Sequence, residues 1–250
     1  MREFICYMGD DDLGGAAIYL AGIMAHFGLP YQHVPSPQSP DAALAEPPCA
    51  LYVLSDYPAA RFRPGQLQQL VEYVRAGSGL AMFGGWESFH GRLGEYQDSP
   101  LAEVLPVQML HSDDRRNCAQ PCVVRATADH AILADLPWDS PPCIGGYNAI
   151  VPKPEAQTLL SARPFSIARR GDDFHFAPQA DVPLLMVGSF GQGRTAALAT
   201  DVAPHWVGGL VDWGRQRITQ SVGSGLIEVG EHYARLFHNL LMWTGRLTQD

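Results

Sequence analysis

Within the first 85 residues, short apolar runs alternate with stretches whose apolar residues recur at helical spacing, and this alternation limits the fold more than anything else in the chain. The run Phe4-Ile5-Cys6-Tyr7-Met8 stops at Gly9, three aspartates follow, and Leu13, Ala16, Ala17, Leu20, Ile23, Met24 and Phe27 then fall on a helical period up to Gly28. Tyr31 to Val34 can form a second strand, and residues 35–48, rich in Pro, Ser and Ala, read as a surface loop. The run Ala50-Leu51-Tyr52-Val53-Leu54 stops at Ser55-Asp56. A helical pattern with Leu67, Leu70, Val71 and Val74 ends at Gly77, and Leu80 to Phe83 runs into Gly84-Gly85. Strands alternating with helices predict a parallel sheet with right-handed crossovers.

Beyond residue 100 the rhythm changes to short β-like runs (Val123-Val124, Thr158 to Leu160, Phe165 to Ala168, Leu184 to Val187, Thr195 to Ala199) separated by Gly and Pro. They are expected to extend the sheet. The loop Phe190-Gly191-Gln192-Gly193 has the glycines of a hairpin, and Ile227 to Leu247 is expected to be a final helix, with Val229, Tyr233, Leu236, Phe237, Leu240, Leu241 and Trp243 near one face. With 250 residues and 46% hydrophobic content, the whole chain 1–250 is expected to be one α/β domain.

A net charge of −9, with one lysine and scattered arginines, repels phosphate backbones and anionic membrane surfaces, so neither nucleic acid nor a membrane is expected as a partner. No run approaches the ~20 apolar residues needed to cross a bilayer, and the N-terminus leads straight into a strand pattern, so a cytoplasmic location is expected. Five unevenly spaced cysteines (Cys6, Cys49, Cys118, Cys122, Cys143) read as reduced thiols. His111, Cys118 and Cys122 are zinc-ligand types at a weak spacing. No metal and no cofactor are assigned.

Ligands of open parallel sheets bind beyond the carboxyl ends of the strands, where loops and helix N-termini converge. Four polar clusters follow expected strand ends: Asp10-Asp11, Ser55-Asp56, Gly84 to Ser88, and Asp201 to His205. Each also has a structural explanation. Asp11 or Asp12 can cap the first helix, Asp56 can start the turn before Pro58, and His205 can be an ordinary structural histidine. Gly84-Gly85-Trp86-Glu87-Ser88 superficially matches a nucleophile elbow, but Trp86 occupies the nucleophile position, and an indole cannot attack a carbonyl. Ser88 serves only if the turn shifts by two residues. His205, in a proline-stiffened loop near Asp201, is the best acid/base candidate, with Glu87 as a second carboxylate.

These residues resemble the class I glutamine amidotransferase-like superfamily, in its GATase1-like branch related to ThuA-like (trehalose utilisation) domains. The resemblance rests on Gly84 through Gly91, Leu101 through Val107, Asp113-Asp114-Arg115, Gly146-Tyr147-Asn148 and Thr200 through Trp206, in that order. It implies a flavodoxin-like three-layer sandwich with a mainly parallel sheet, extended by extra strands in the C-terminal half. The Gly-Gly turn would sit at the elbow, and His205 near the position of the catalytic histidine. The cysteine nucleophile of a glutaminase is missing, and Val207 stands two residues after His205 where a glutaminase keeps glutamate, so glutaminase activity is not expected. Residues 163–180 and 207–225 are expected to be inserted segments. The continuation after Ser55-Asp56 departs from the branch pattern.

The function expected on this basis is binding of, or action on, a small polar, sugar-like metabolite at the C-terminal edge of the sheet. His205 would be the acid/base oriented by Asp201, with Glu87 as the second acid/base. Asp10, Asp11, Asp56, Gly84, Gly85, Trp86, Asp114, Arg115, Tyr147 and Asn148 would line the ligand site. Alternatives are a non-catalytic binding or scaffold module and a hydrolase or amidotransferase using Ser88. A homo-oligomer packed through Trp86, Trp206 and Trp213 is a further, structural reading.

Overall fold

In the computed structural model, which describes residues 2–248, β1 (Arg2–Gly9), α1 (Ile18–His26), β2 (Tyr31–Val34), α2 (Asp41–Ala45), β3 (Cys49–Ser55), α3 (Gln66–Arg75) and β4 (Gly79–Phe83) follow in that order. Every residue of β3 and β4 is buried, as continuous apolar strands covered on both faces should be. In α3, Leu70, Val71 and Val74 are buried while Gln68, Glu72 and Arg75 are exposed. α2 is a short helix inside the stretch expected to be loop.

α1 starts at Ile18, later than the periodicity suggests, and Ala17 occupies its N-cap with no side-chain cap. The capping expected of Asp11 or Asp12 therefore does not occur. The Asp12 carboxylate instead accepts the Gly14 N–H at 2.7 Å, tightening the turn that precedes the helix.

The second half comprises α4 (Leu101–Val104), β5 (Val107–Gln108), β6 (Arg115–Ala126), β7 (Cys143–Asn148), β8 (Val151–Pro152), β9 (Gln157–Arg163), β10 (Phe165–Arg170), β11 (Asp173–Pro178), β12 (Val182–Phe190), β13 (Gly193–Leu198), α5 (Pro204–Val207), β14 (Arg217–Val222), β15 (Gly225–Gly230) and α6 (Glu231–Gly245). Nine strands form one sheet in the order β2-β1-β3-β4-β13-β12-β9-β6-β7. Pairing is parallel from β2 through β13 and antiparallel from β13 through β7.

The protein is thus α/β with a large mixed sheet, which corrects the expectation of a mainly parallel one. The cause lies in the connections. A parallel neighbour needs a crossover of about a dozen residues or more, usually a helix. Among the described residues the longest helix between β4 and β13 is the four-residue α4. Strands without crossover helices return beside their predecessors.

Residues 227–230 also differ from expectation. They belong to β15, paired with β14, and α6 begins only at Glu231. The alternation of exposed Leu226 and Glu228 with buried Ile227 and Val229 is a strand period that the longer helical pattern conceals. This hairpin lies on α1, where Gly22 lets Ile227 approach. A Cβ at Gly22 would stand 2.4 Å from Ile227 Cδ1. Cover on that side explains why α1 is apolar nearly all round. β10 and β11 pair only with each other, outside the main sheet.

Connections run from β1 outward to β2 and from β3 in the opposite direction to β4. Right-handed crossovers in opposite directions place α1 and α3 on opposite faces, and α6 joins α1, against β3, β4 and β13. The strand order reverses between β1 and β3, the position at which open sheets of this kind bind their ligands.

Candidate functional site

Register sets the site. Gly9 of β1 pairs with Ser55 of β3, Ser55 with Phe83 of β4, and Phe83 with Leu198 of β13, so four parallel strands end on one row. Asp10, Asp56 and Gly84 come one residue beyond that row, and Asp201 three. Asp10 (φ +55°) and Asp56 (φ +46°) both turn into the left-handed region, which aspartate tolerates better than most side chains. Gly9 passes so close to β3 that a Cβ would lie 1.5 Å from the Ser55 carbonyl oxygen.

Three carboxyls collect here. The Tyr7 hydroxyl donates to Asp10 Oδ2 at 2.5 Å, the Glu87 N–H to Asp56 Oδ1 at 2.7 Å, and the Ala203 N–H to Asp201 Oδ1 at 2.9 Å. Burial, then the charges of Asp201 and Asp56, push the Asp10 carboxyl well above the usual carboxylate range. Burial and the Asp201 charge push Asp56 up to about 8, against the pull of the Glu87 and Trp86 N–H groups. Burial raises Asp201 to about 6, opposed by the Ala203 and Val202 N–H groups and by His205. Burial and mutual repulsion thus both disfavour the fully ionised form of the three groups.

The Gly-Gly turn forms the floor. Gly84 donates to the Leu198 and Thr200 carbonyls, and a Cβ there would come within 2.4 Å of the Ala199 oxygen. Gly85, at φ +157°, lies where a Cβ would be 2.1 Å from Asp56 Oδ1. Asn148, at the end of β7, accepts from Gly85 N at 2.9 Å and donates to Gly85 O at 3.1 Å and to Asp114 Oδ1 at 2.7 Å. The same Asp114 carboxylate accepts the His90 and Gly91 N–H groups. Both side chains are buried, and their polar atoms hold the backbone of residues 85–91.

Pro204 at the first turn of α5 fixes the start of the His205 loop. His205 is exposed and meets Trp86 edge to face at 6.0 Å between ring centres. Arg115 lies over the Trp86 ring at 4.4 Å and is itself held bidentately by Asp113. Trp86 remains 39% exposed, whereas Trp206 and Trp213 are buried within this chain, Trp206 donating to Asn117 Oδ1 and Trp213 to the Ser140 carbonyl.

The structure therefore brings together Asp10, Asp56, Asp201, His205, Trp86, Arg115 and the Gly84-Gly85 turn. Other candidates meet this group through Asp56 or lie outside it. Glu87 is half-buried and feels the charges of Asp11 and Arg61, and its own charge acts on Asp56. The Ser88 hydroxyl is buried and accepts the Asp56 N–H at 3.0 Å. Asp11 donates its N–H to Ser36 Oγ, whose hydroxyl donates in turn to the Asp56 carbonyl. Tyr147, on the opposite face of β7 from Asn148, lines a separate pocket with Cys118 and Phe165. Sequence reasoning missed Tyr7 and Ser36. Tyr7 sits inside a run legible only as strand core, and its partnership with Asp10 depends on the left-handed turn at residue 10.

Among the described residues no group of three or more His, Cys, Asp or Glu is placed to hold a metal ion. No helix among them is long and apolar enough to cross a membrane.

Two cytoplasmic proteins of Salmonella typhimurium share the architecture. One is 23% identical (TM-score 0.73, covering 96% of this chain and 98% of that one). The other is 25% identical (TM-score 0.72, covering 98% and 99%). A ThuA-like protein of Bacteroides uniformis, 13% identical, shares the fold with a TM-score of 0.52 over 97% of this chain and 91% of its own. No curated protein matches the sequence. Residues 50–245 match the GATase1_like family, described as "Putative glutamine amidotransferase", and the chain belongs to that family.

Proposed function

We propose that the crevice at the ends of β1, β3, β4 and β13 binds a small, polar, hydroxyl-rich metabolite and acts on it by proton transfer. The observation that carries this reading is the collection of Asp10, Asp56 and Asp201 in one buried cluster beside His205, each carboxyl pushed upward by burial and the first two also by a neighbour's charge. A carboxyl whose pKa lies near the working pH can both give and take a proton, the requirement for general acid/base catalysis. His205 is solvent-exposed and acts electrostatically on Asp201, and Trp86 offers an apolar wall braced by Arg115. The strand order 2-1-3-4 is that of a flavodoxin-like sheet, whose ligands sit where the order reverses.

In this reading Asn148, Asp114 and Ser88 are positioning residues, because their polar atoms already hold backbone. Glutamine is not the substrate, since Trp86 stands at the elbow in place of a thiol. The chain shares its fold with two cytoplasmic proteins and a ThuA-like protein, and the sugar-like character of the ligand rests on the resemblance to ThuA-like (trehalose utilisation) domains.

The test is a thermal-shift and calorimetric screen of monosaccharides, sugar acids and polyols against the full chain, with glutamine as control. One or more of the hydroxylated compounds should raise Tm. Trp86→Ala should weaken that binding, and His205→Ala should bind with turnover lost. A panel without a single binder, or ammonia released from glutamine, overturns the proposal. A binder that is never turned over leaves the crevice as a binding module, a reading favoured by the backbone and hydroxyl partners already bonded to each carboxyl.

A further inference from the structure

We propose that Cys118 and Cys122 form a dithiol site that peroxide oxidises reversibly to an intrachain disulfide. The site arises from an irregularity in β6. Asn117 pairs with Gly146 and Cys122 with Ile144, so five steps along β6 oppose only two along β7. The surplus residues form a bulge in β6, and bulges of this kind re-aim side chains. Four residues apart, the two thiols would lie on one face of a regular strand, well beyond bonding distance. The bulge brings their sulfurs to 3.1 Å, with Cys122 donating to Cys118. A disulfide then needs a closure of about 1 Å, within a segment whose register with β7 is interrupted.

The two thiols divide the chemistry. Cys118 is half-buried and opens onto a pocket of about 380 Å³ lined also by Arg116, Tyr147, Phe165, Ile167 and Gln179, so a small oxidant has access. The hydrogen bond from Cys122 holds the Cys118 thiol down to about 7, which makes it the nucleophile. Cys122 is fully buried, and its thiol is pushed up by that hydrogen bond and by burial, so it keeps its proton until it attacks. The Cys118 thiolate attacks one peroxide oxygen, giving the sulfenic acid and releasing hydroxide. Cys122 sulfur then displaces the sulfenic hydroxyl, and its proton joins the departing hydroxide as water. Two thiols and one hydrogen peroxide become one disulfide and two waters. Among the described residues no third ligand completes a metal site around the pair.

The test uses the full chain with hydrogen peroxide at pH 7, followed by alkylation and peptide mapping. The wild-type protein should lose two thiols and gain a Cys118–Cys122 crosslink, and dithiothreitol should restore both thiols. Cys122→Ser should stop at a sulfenic acid on Cys118 that takes up dimedone, and Cys118→Ser should form no crosslink. Without peroxide, iodoacetamide should modify Cys118 about ten-fold faster than Cys143, whose thiol burial pushes up. A crosslink joining other cysteines, oxidation without any crosslink, or equal alkylation of Cys118 and Cys143 overturns the proposal.

Discussion

Asn148 bonds both the N–H and the carbonyl of Gly85, 63 residues earlier in the chain, as a neighbouring strand would. One side-chain amide thereby substitutes for a ladder pairing at the floor of the crevice, and Asp114 fixes its orientation. Asn148→Ala leaves a buried N–H, a buried carbonyl and a buried carboxylate short of a partner. The expected cost is about 2–4 kcal/mol in urea unfolding, at the high end for a single residue. A cost under about 1 kcal/mol would show that the turn holds itself.

Gly85→Ala should be costly for a different reason. The added Cβ meets the Asp56 carboxylate at 2.1 Å, and φ is +157°. A loss of about 3 kcal/mol or more is expected. Gly28→Ala is the control. It also has a positive φ, +66°, but nothing within 4 Å of the new methyl, so about 1–2 kcal/mol is expected. Equal Tm changes for the two variants would refute the role given to Asp56.

Stability should fall as pH rises through the neutral range. Carboxyls raised to about 6 at Asp201 and about 8 at Asp56 bind more protons folded than unfolded. Their contribution is fully present below pH ~4 and is lost as pH passes the folded values. From pH 5 to 9 the loss should be on the order of a few kcal/mol. Asp56→Asn, neutral at every pH, should flatten the profile. Urea midpoints at pH 5, 7 and 9 measure this, and a wild-type curve that rises toward pH 9 would contradict it.

Ser88→Ala separates structure from chemistry. The Asp56 N–H loses its acceptor, and a cost of about 1–3 kcal/mol is expected. The thermal shift given by a crevice ligand should persist. Loss of turnover in this variant at unchanged ligand binding would restore Ser88 as a nucleophile.

The parallel half of the fold was legible because β1, β3 and β4 are apolar runs cut by Gly9, Asp56 and Gly84, signals carried within a few residues. The same signals gave Asp10, Asp56 and Asp201, since an aspartate just past a strand end is placed by the strand. Sheet order beyond β4 was not legible, because antiparallel neighbours such as β6 and β9 are chosen by contacts far apart in sequence. Nor does a sequence show which way a loop side chain turns. Glu87 could be a second carboxylate only if it faced inward, and its charge acts on Asp56 whereas that of His205 acts on Asp201. Tyr147 and Asn148, neighbours in one motif, part company because successive residues of β7 point to opposite faces.

The place of β13 in the sheet has a consequence for synthesis. β4 receives its outer neighbour only from residues 193–198, and α6, which packs over β3, β4 and β13, comes later still. At ribosomal speeds of about 5–20 residues per second, more than a hundred residues must emerge while the open side of β4 waits, roughly 5–20 s. During that interval an uninterrupted apolar strand presents unpaired N–H and carbonyl groups, the template on which nascent chains aggregate. Ribosome-bound chains stopped before residue 193 should therefore depend on chaperones, and those extended past α6 should not.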